Sequence, residues 1–238
     1  MLKNWLKGLV FRVFKTDRIP SLYWGQIFNS TIVGSSWYKN QGISPGRWAV
    51  GYSFLYVLYR TLNDVQPRSI LELGLGQSTK LTTQYVEANQ VSHIVVEHDP
   101  TWKNFFEQGC SYLSEKTKIF VSPLKEIKGM GDRYFEYRDF KNIVTGRKYD
   151  LLLIDGPWGG DGRLSRRDIL PLMPQILADD FVLIFDDCGR LGEQKTVADV
   201  EAILRSNNIA YTKGIYDDGG MKYVVVLASE SWKFLCTL

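Results

Sequence analysis

Ser69-Ile-Leu-Glu-Leu-Gly-Leu-Gly-Gln-Ser-Thr79 is the stretch whose reading decides the fold. Ser69–Leu73 is a short apolar run of strand composition. Gly74 and Gly76 follow it directly, and Ser78 or Thr79 stands where a hydroxyl caps a helix predicted to run from Ser78 to Ala88. A strand, a glycine loop and a helix start together bring bare backbone and helix N-terminal amides up to a ligand. A dinucleotide fingerprint wants a further glycine three residues after Gly76, and this chain has Thr79 there. Glu72 stands two residues before the first glycine. That is a poor place beside an anionic pyrophosphate and a good one beside a cationic group.

Working outward, Ile94–Glu97 reads as a second strand, ending in VVEHD. Glu97 lies about twenty residues beyond the glycines, the offset at which an acid reaches ribose hydroxyls. A ribose-binding acid without a pyrophosphate cradle describes S-adenosylmethionine better than NAD. Further strands are predicted at Ile119–Ser122, Tyr149–Asp155 and Phe181–Asp186, with helices at Trp102–Leu113, Arg166–Leu177 and Thr196–Ser206. Ile209–Tyr216 and Tyr223–Ala228 flank Asp217-Asp218-Gly219-Gly220 and read as a hairpin. The alternation predicts an α/β fold: a Rossmann-like, doubly wound, seven-stranded sheet, mostly parallel, with an antiparallel C-terminal hairpin strand. Right-handed crossovers then put the strand C-termini on one edge, where the chemistry is expected.

Upstream, residues 1–66 are read as a helical extension or lid, and residues 67–238 as the cofactor-binding domain. In residues 1–18, Leu2, Leu6, Leu9, Val10 and Val13 share one helical face, with Lys3, Lys7, Arg12 and Lys15 opposite. These charges interrupt any membrane span and are too dispersed for a signal peptide. Two readings stay open: peripheral contact with an anionic membrane surface, or packing on the domain or on a partner subunit in a homo-oligomer. Residues 19–46 have loop and short-element composition, and Arg47–Asn63 has helical spacing. Trp37, Tyr38 and Trp48 are read as a satellite core in preference to a lid. At 45% hydrophobic, 23% charged and net charge +3, the chain suits a globular protein with no nucleic-acid partner. Three scattered cysteines match neither a disulfide framework nor a zinc site, so a cytoplasmic location is expected, with or without the membrane surface.

Asp155 ends one buried strand, and Asp186-Asp187 end the next. Carboxylates brought so close repel unless a cation or a proton neutralises them, and hard oxygen ligands suit Mg²⁺ or another divalent cation. From Ser69 to Ala228 the chain resembles the class I S-adenosylmethionine-dependent methyltransferases. Its IDG…FDD arrangement is similar to that of metal-dependent O-methyltransferases of the sugar- and antibiotic-tailoring and catechol types. The resemblance implies cofactor contacts at Glu72, Gly74, Gly76, Ser78, Thr79 and Asp155, ribose binding by Glu97, and adenine contact at Ser122. It implies a metal on Asp155, Asp186 and Asp187, and a small-molecule or glycan hydroxyl as acceptor. The chain departs from those relatives where they carry a base: Pro157 and Trp158 occupy the two positions. Asp161 in the following loop is the substitute, with Asp155, as catalytic residue. Metal-independent N- or O-methyl transfer and a non-catalytic cofactor-binding module are the alternatives.

Overall fold

The computed structural model describes residues 18–46, 49–129, 132–158, 164–217 and 222–237. The amphipathic segment before Arg18, Trp48, Asp161 and most of the turn after Asp217 therefore lie outside the described residues. Helix α1 (Arg18–Thr31) and helix α2 (Tyr52–Arg60), which continues as a π-turn over Thr61–Val65, precede the sheet. Strand β1 (Ser69–Leu73), helix α3 (Gln77–Asn89), strand β2 (Ser92–Glu97), helix α4 (Pro100–Gly109) and strand β3 (Thr117–Val121) form the first half of the winding. A hairpin of β4 (Leu124–Gly129) and β5 (Asp132–Tyr137) and a short helix α5 (Phe140–Val144) follow. Then come β6 (Tyr149–Ile154), β7 (Leu177–Phe185), helix α6 (Leu191–Ser206), β8 (Thr212–Asp217) and β9 (Tyr223–Ala228).

Seven strands make one sheet in the order β3-β2-β1-β6-β7-β9-β8, while β4 and β5 pair separately. β1, β2, β3, β6 and β7 are parallel, and β9 runs antiparallel to both β7 and β8. This is the Rossmann-like sheet with its antiparallel closing strand. The order reverses between β1 and β6, and the crevice outside the strand C-termini at such a switch point is the general ligand site.

Alternation along the strands builds the two faces. Ile70, Leu151, Leu153, Val182, Ile184, Val224 and Val226 enter one apolar cluster with Phe28, Ile32 and most of α2. Leu71, Leu73, Leu152, Ile154, Leu183, Phe185, Val225 and Leu227 enter the other, with Tyr137, Val197 and Val200. Continuous apolar strands are what a sheet covered on both faces requires. Trp37 packs against the first cluster, stacked on Tyr59 with ring centroids 5.1 Å apart, and Tyr38 is buried in it. Both belong to core, as their composition predicts.

Three segments differ from the sequence reading. Arg18–Thr31, expected as loop, is a 14-residue helix. Its glycine, serine and asparagine content hides the spacing of Trp24, Ile27, Phe28 and Ile32, and burial of that face decides the matter. Arg166–Leu177, expected as helix, holds only a 3₁₀ turn at Leu170–Leu172. Pro171 and Pro174 remove amide donors there, and Arg166 takes a φ of +50°. The β4–β5 hairpin was not anticipated: Leu124 and Ile127, like Tyr134 and Tyr137, stand three residues apart among charges, so no period-2 alternation announces its strands.

No helix among the described residues is long and apolar enough to cross a membrane. All three cysteines are unpaired.

Candidate functional site

The ends of β1 and β6 meet without side chains between them. Gly74 has a φ of +94°, and a Cβ there would lie 3.2 Å from the Asp155 carbonyl group. A Cβ on Gly156 would press on the Tyr137 hydroxyl and lie 2.9 Å from Cα and N of Gly74. Gly156→Ala is therefore expected to cost about 1–3 kcal/mol by overpacking. That lowers the thermal midpoint by about 2–4 °C per kcal/mol at this chain length. Scanning calorimetry checks it, and an unchanged midpoint refutes the close approach.

Gly76 is the N-cap of helix α3, and its amide donates to Thr79 Oγ1 at 3.0 Å. Glycine thus takes the cap position predicted for a hydroxyl, Thr79 Oγ1 receives its amide, and both hydroxyls donate onward. Ser78 Oγ and Thr79 Oγ1 donate to Glu72 Oε1 at 2.5 and 3.0 Å. Glu72 Oε2 meets His93 Nε2 at 3.0 Å, and His93 Nδ1 lies 3.2 Å from Thr117 Oγ1. Glu72, Ser78, Thr79 and His93 are all buried. Glu72 therefore lies behind the glycine loop and braces it, rather than on a cavity wall. His93 is a buried structural link between Glu72 and Thr117.

Glu97 ends β2 and organises the next turn. Its Oε1 accepts from the amides of His98 (2.7 Å) and Asp99 (2.9 Å), and its Oε2 from the amide of Leu75 (3.0 Å). Burial pushes this carboxyl up, but the His98 ring and the three amides outweigh it and hold it below the usual range. The His98 ring, 2.8 Å from Glu97 Oε1, is held protonated to higher pH by that carboxylate. Asp99 caps α4 through the amides of Thr101 and Trp102, and the Trp102 indole donates to Leu75 O at 2.7 Å. Ser122 is buried beside this turn, its Oγ accepting from the Asp139 amide at 2.9 Å. Ser122 does not line either of the two cavities that adjoin this turn.

Two adjoining cavities share Leu75, Glu97, His98 and Asp155. One of about 390 Å³ extends over Gly76, Gln77, Asp99 and Trp102. The other, of about 230 Å³, extends over Gly74, Tyr137, Trp158 and Asp187 to Arg190 and Lys222. Together they form a groove across the switch point, of a size for a small-molecule ligand. Of the residues singled out from sequence, Gly74, Gly76, Glu97, Asp155 and Asp187 line it. The buried Tyr137 hydroxyl, without a hydrogen-bond partner among the described residues, also reaches it. Tyr137 comes from the unanticipated hairpin.

Carboxylate oxygens of Asp155, Asp186 and Asp187 lie within 4.8 Å of one another, as the strand ends predict. Burial and Asp186 push the Asp155 carboxyl well above the ordinary range, against the pull of Arg166. Burial and Asp187 push Asp186 up to about 6. The sequence reading missed what sits among them. Arg166 is buried, with Nη2 3.1 Å from Asp155 Oδ1 and 3.0 Å from Asp187 Oδ2. Its Nη1 donates to the carbonyls of Asp186 (2.8 Å) and Ile154 (3.3 Å), and its Nε is 3.7 Å from Glu193. Arg167 is likewise taken, by Asp199 at 2.7 Å. Both arginines are thus paired with acids of the chain. Asp155 and Asp187 share one fixed guanidinium, a like charge that any cation in this cluster would meet.

No protein-family model matches this sequence, and no curated protein matches it. Among solved structures the chain is similar to an O-methyltransferase of Bacillus cereus in complex with S-adenosylhomocysteine. Identity is 13%, over 96% of this chain and 100% of that one, with a TM-score of 0.50. It is also similar to an S-adenosylhomocysteine-bound methyltransferase of Podospora anserina, at 12% identity over 94% of this chain and 96% of that one, with a TM-score of 0.50. At such identities the likeness establishes the fold.

Proposed function

We propose that the chain is an S-adenosylmethionine-dependent methyltransferase acting on a hydroxyl of a small molecule or glycan. One observation carries this reading: Glu97 and Asp155 face a single groove from either side of the glycine loop at the switch point. Glu97 keeps acceptor capacity for ribose hydroxyls because only one described donor, the Leu75 amide, meets its Oε2. Gly74 and Gly76 keep the loop clear of side chains, and the Trp102 ring walls the larger cavity. These residues suit a nucleoside ligand without a pyrophosphate. When bound, S-adenosylmethionine supplies an electrophilic methyl group.

The chain's own part is to hold the acceptor and take its proton. Asp155 is the strand-end acid on the cavity wall, its side chain 23% exposed. Arg166 engages its Oδ1, and no described group holds its Oδ2. A hydroxyl of the acceptor can donate to that second oxygen and pass its proton there as it is methylated. Asp161, the other catalytic candidate, lies outside the described residues. Titration calorimetry with S-adenosylhomocysteine tests the reading: one site per chain is expected, and no heat of binding sinks it.

A further inference from the structure

We propose that the Arg166 guanidinium is the resident counter-cation of the strand-end acids, so that methyl transfer here proceeds without a divalent ion. The inference rests on the methyltransferase reading for its chemistry, but its geometry stands independently. Arg166 is 3% exposed, and its planar fork spans the ends of both β6 and β7. One nitrogen binds the main-chain carbonyls of Ile154 and Asp186, and the other binds the side chains of Asp155 and Asp187. A guanidinium suits this task because its donors are fixed in a plane and it stays charged when buried.

The charge balance agrees. Among the described residues, four carboxylates gather here: Asp155, Asp186, Asp187 and Glu193. Three cations face them. Beside Arg166, Arg190 lies 2.7 Å from Asp187 Oδ2, and Lys222 lies 4.0 Å from Asp187 Oδ1. With all four carboxylates ionised, the three cations leave a single negative charge beside the groove. That is the charge a monocationic ligand such as a sulfonium neutralises, whereas a divalent ion overshoots it and meets Arg166 as a like-charged neighbour. Arg166 is a positioning residue in this scheme: it acts through Asp155, whose Oδ1 it fixes.

Manganese is the probe, because protein binding removes the electron paramagnetic resonance signal of the free aqua ion. With the full chain at sub-millimolar Mn²⁺, the signal is expected to remain undiminished. Arg166→Met, which releases Asp155 and Asp187, is expected to gain uptake of about one ion per chain. The same variant should lower kcat by roughly tenfold or more while the KM for the cofactor changes little. Arg166→Lys keeps the charge but loses the fork, and should exclude manganese without restoring full kcat. Wild-type activity should be unchanged by EDTA. Stoichiometric Mn²⁺ uptake by the wild type, or loss of its activity in EDTA, overturns the proposal, and this needs no variant to fold. Absence of S-adenosylhomocysteine binding in calorimetry would instead remove the methyltransferase reading, leaving the manganese result to judge Arg166 alone.

Discussion

Asp155→Asn is expected to lower kcat by roughly 10²–10⁴-fold, the range spanned by general acid–base catalysis. Affinity for S-adenosylhomocysteine should stay within about threefold, since the substitution removes a proton acceptor and not a ribose contact. The side chain keeps its size, and its amide oxygen can still accept from Arg166 Nη2, which now lies 3.1 Å from Oδ1. The local structure should therefore survive. Single-turnover kinetics beside calorimetry separate the two quantities. A variant that loses binding and turnover together would make Asp155 a cofactor contact first. A variant with full turnover would move the proton elsewhere, and Asp161 would be the next residue to replace.

Glu97→Ala carries the second large effect, and it falls on binding. The carboxylate holds three amides: that of Leu75 in the glycine loop, and those of His98 and Asp99 in the turn between β2 and α4. Its proposed partners on the ligand are ribose hydroxyls. Hydrogen bonds to a charged group contribute about 1.5–3 kcal/mol each. Loss of two therefore weakens binding by roughly 100-fold or more, at 1.4 kcal/mol per tenfold. Calorimetry reads the affinity. Thermal unfolding of the unliganded variant shows how far release of the three amides also loosens the glycine loop and the turn. Binding within about threefold of wild type would exclude Glu97 as the ribose acid.

Much of this architecture was legible in the chain itself. Ser69–Leu73 is a strand over the predicted residues, and Tyr223–Ala228 is as well. Tyr223–Ala228 is apolar almost throughout and Ser69–Leu73 is apolar apart from Ser69 and Glu72, and turn residues adjoin both. The extension was harder to read. In Arg18–Thr31 the helix depends on Phe28 and Ile32 finding α2, a contact no local propensity reports. The segment after β6 failed for the opposite reason. A helical spacing of apolar residues was present, but two prolines and the pull of the acid cluster on Arg166 left turns there.

The sequence by itself determined the seven strands of the main sheet, the glycine loop, and the acids at the ends of β2 and β6. These follow from hydrophobic period and from residues adjacent in the chain. Only the tertiary structure decided what each acid meets. Glu72 turns inward to Ser78, Thr79 and His93, while Glu97 and Asp155 stay on the groove. Asp155 and Asp187 share Arg166, which is eleven residues from one and twenty-one from the other. A buried charge takes whichever opposite charge or donor the fold brings within about 4 Å. That neighbour is set by the crossing of strands and loops, which the order of residues along the chain does not display.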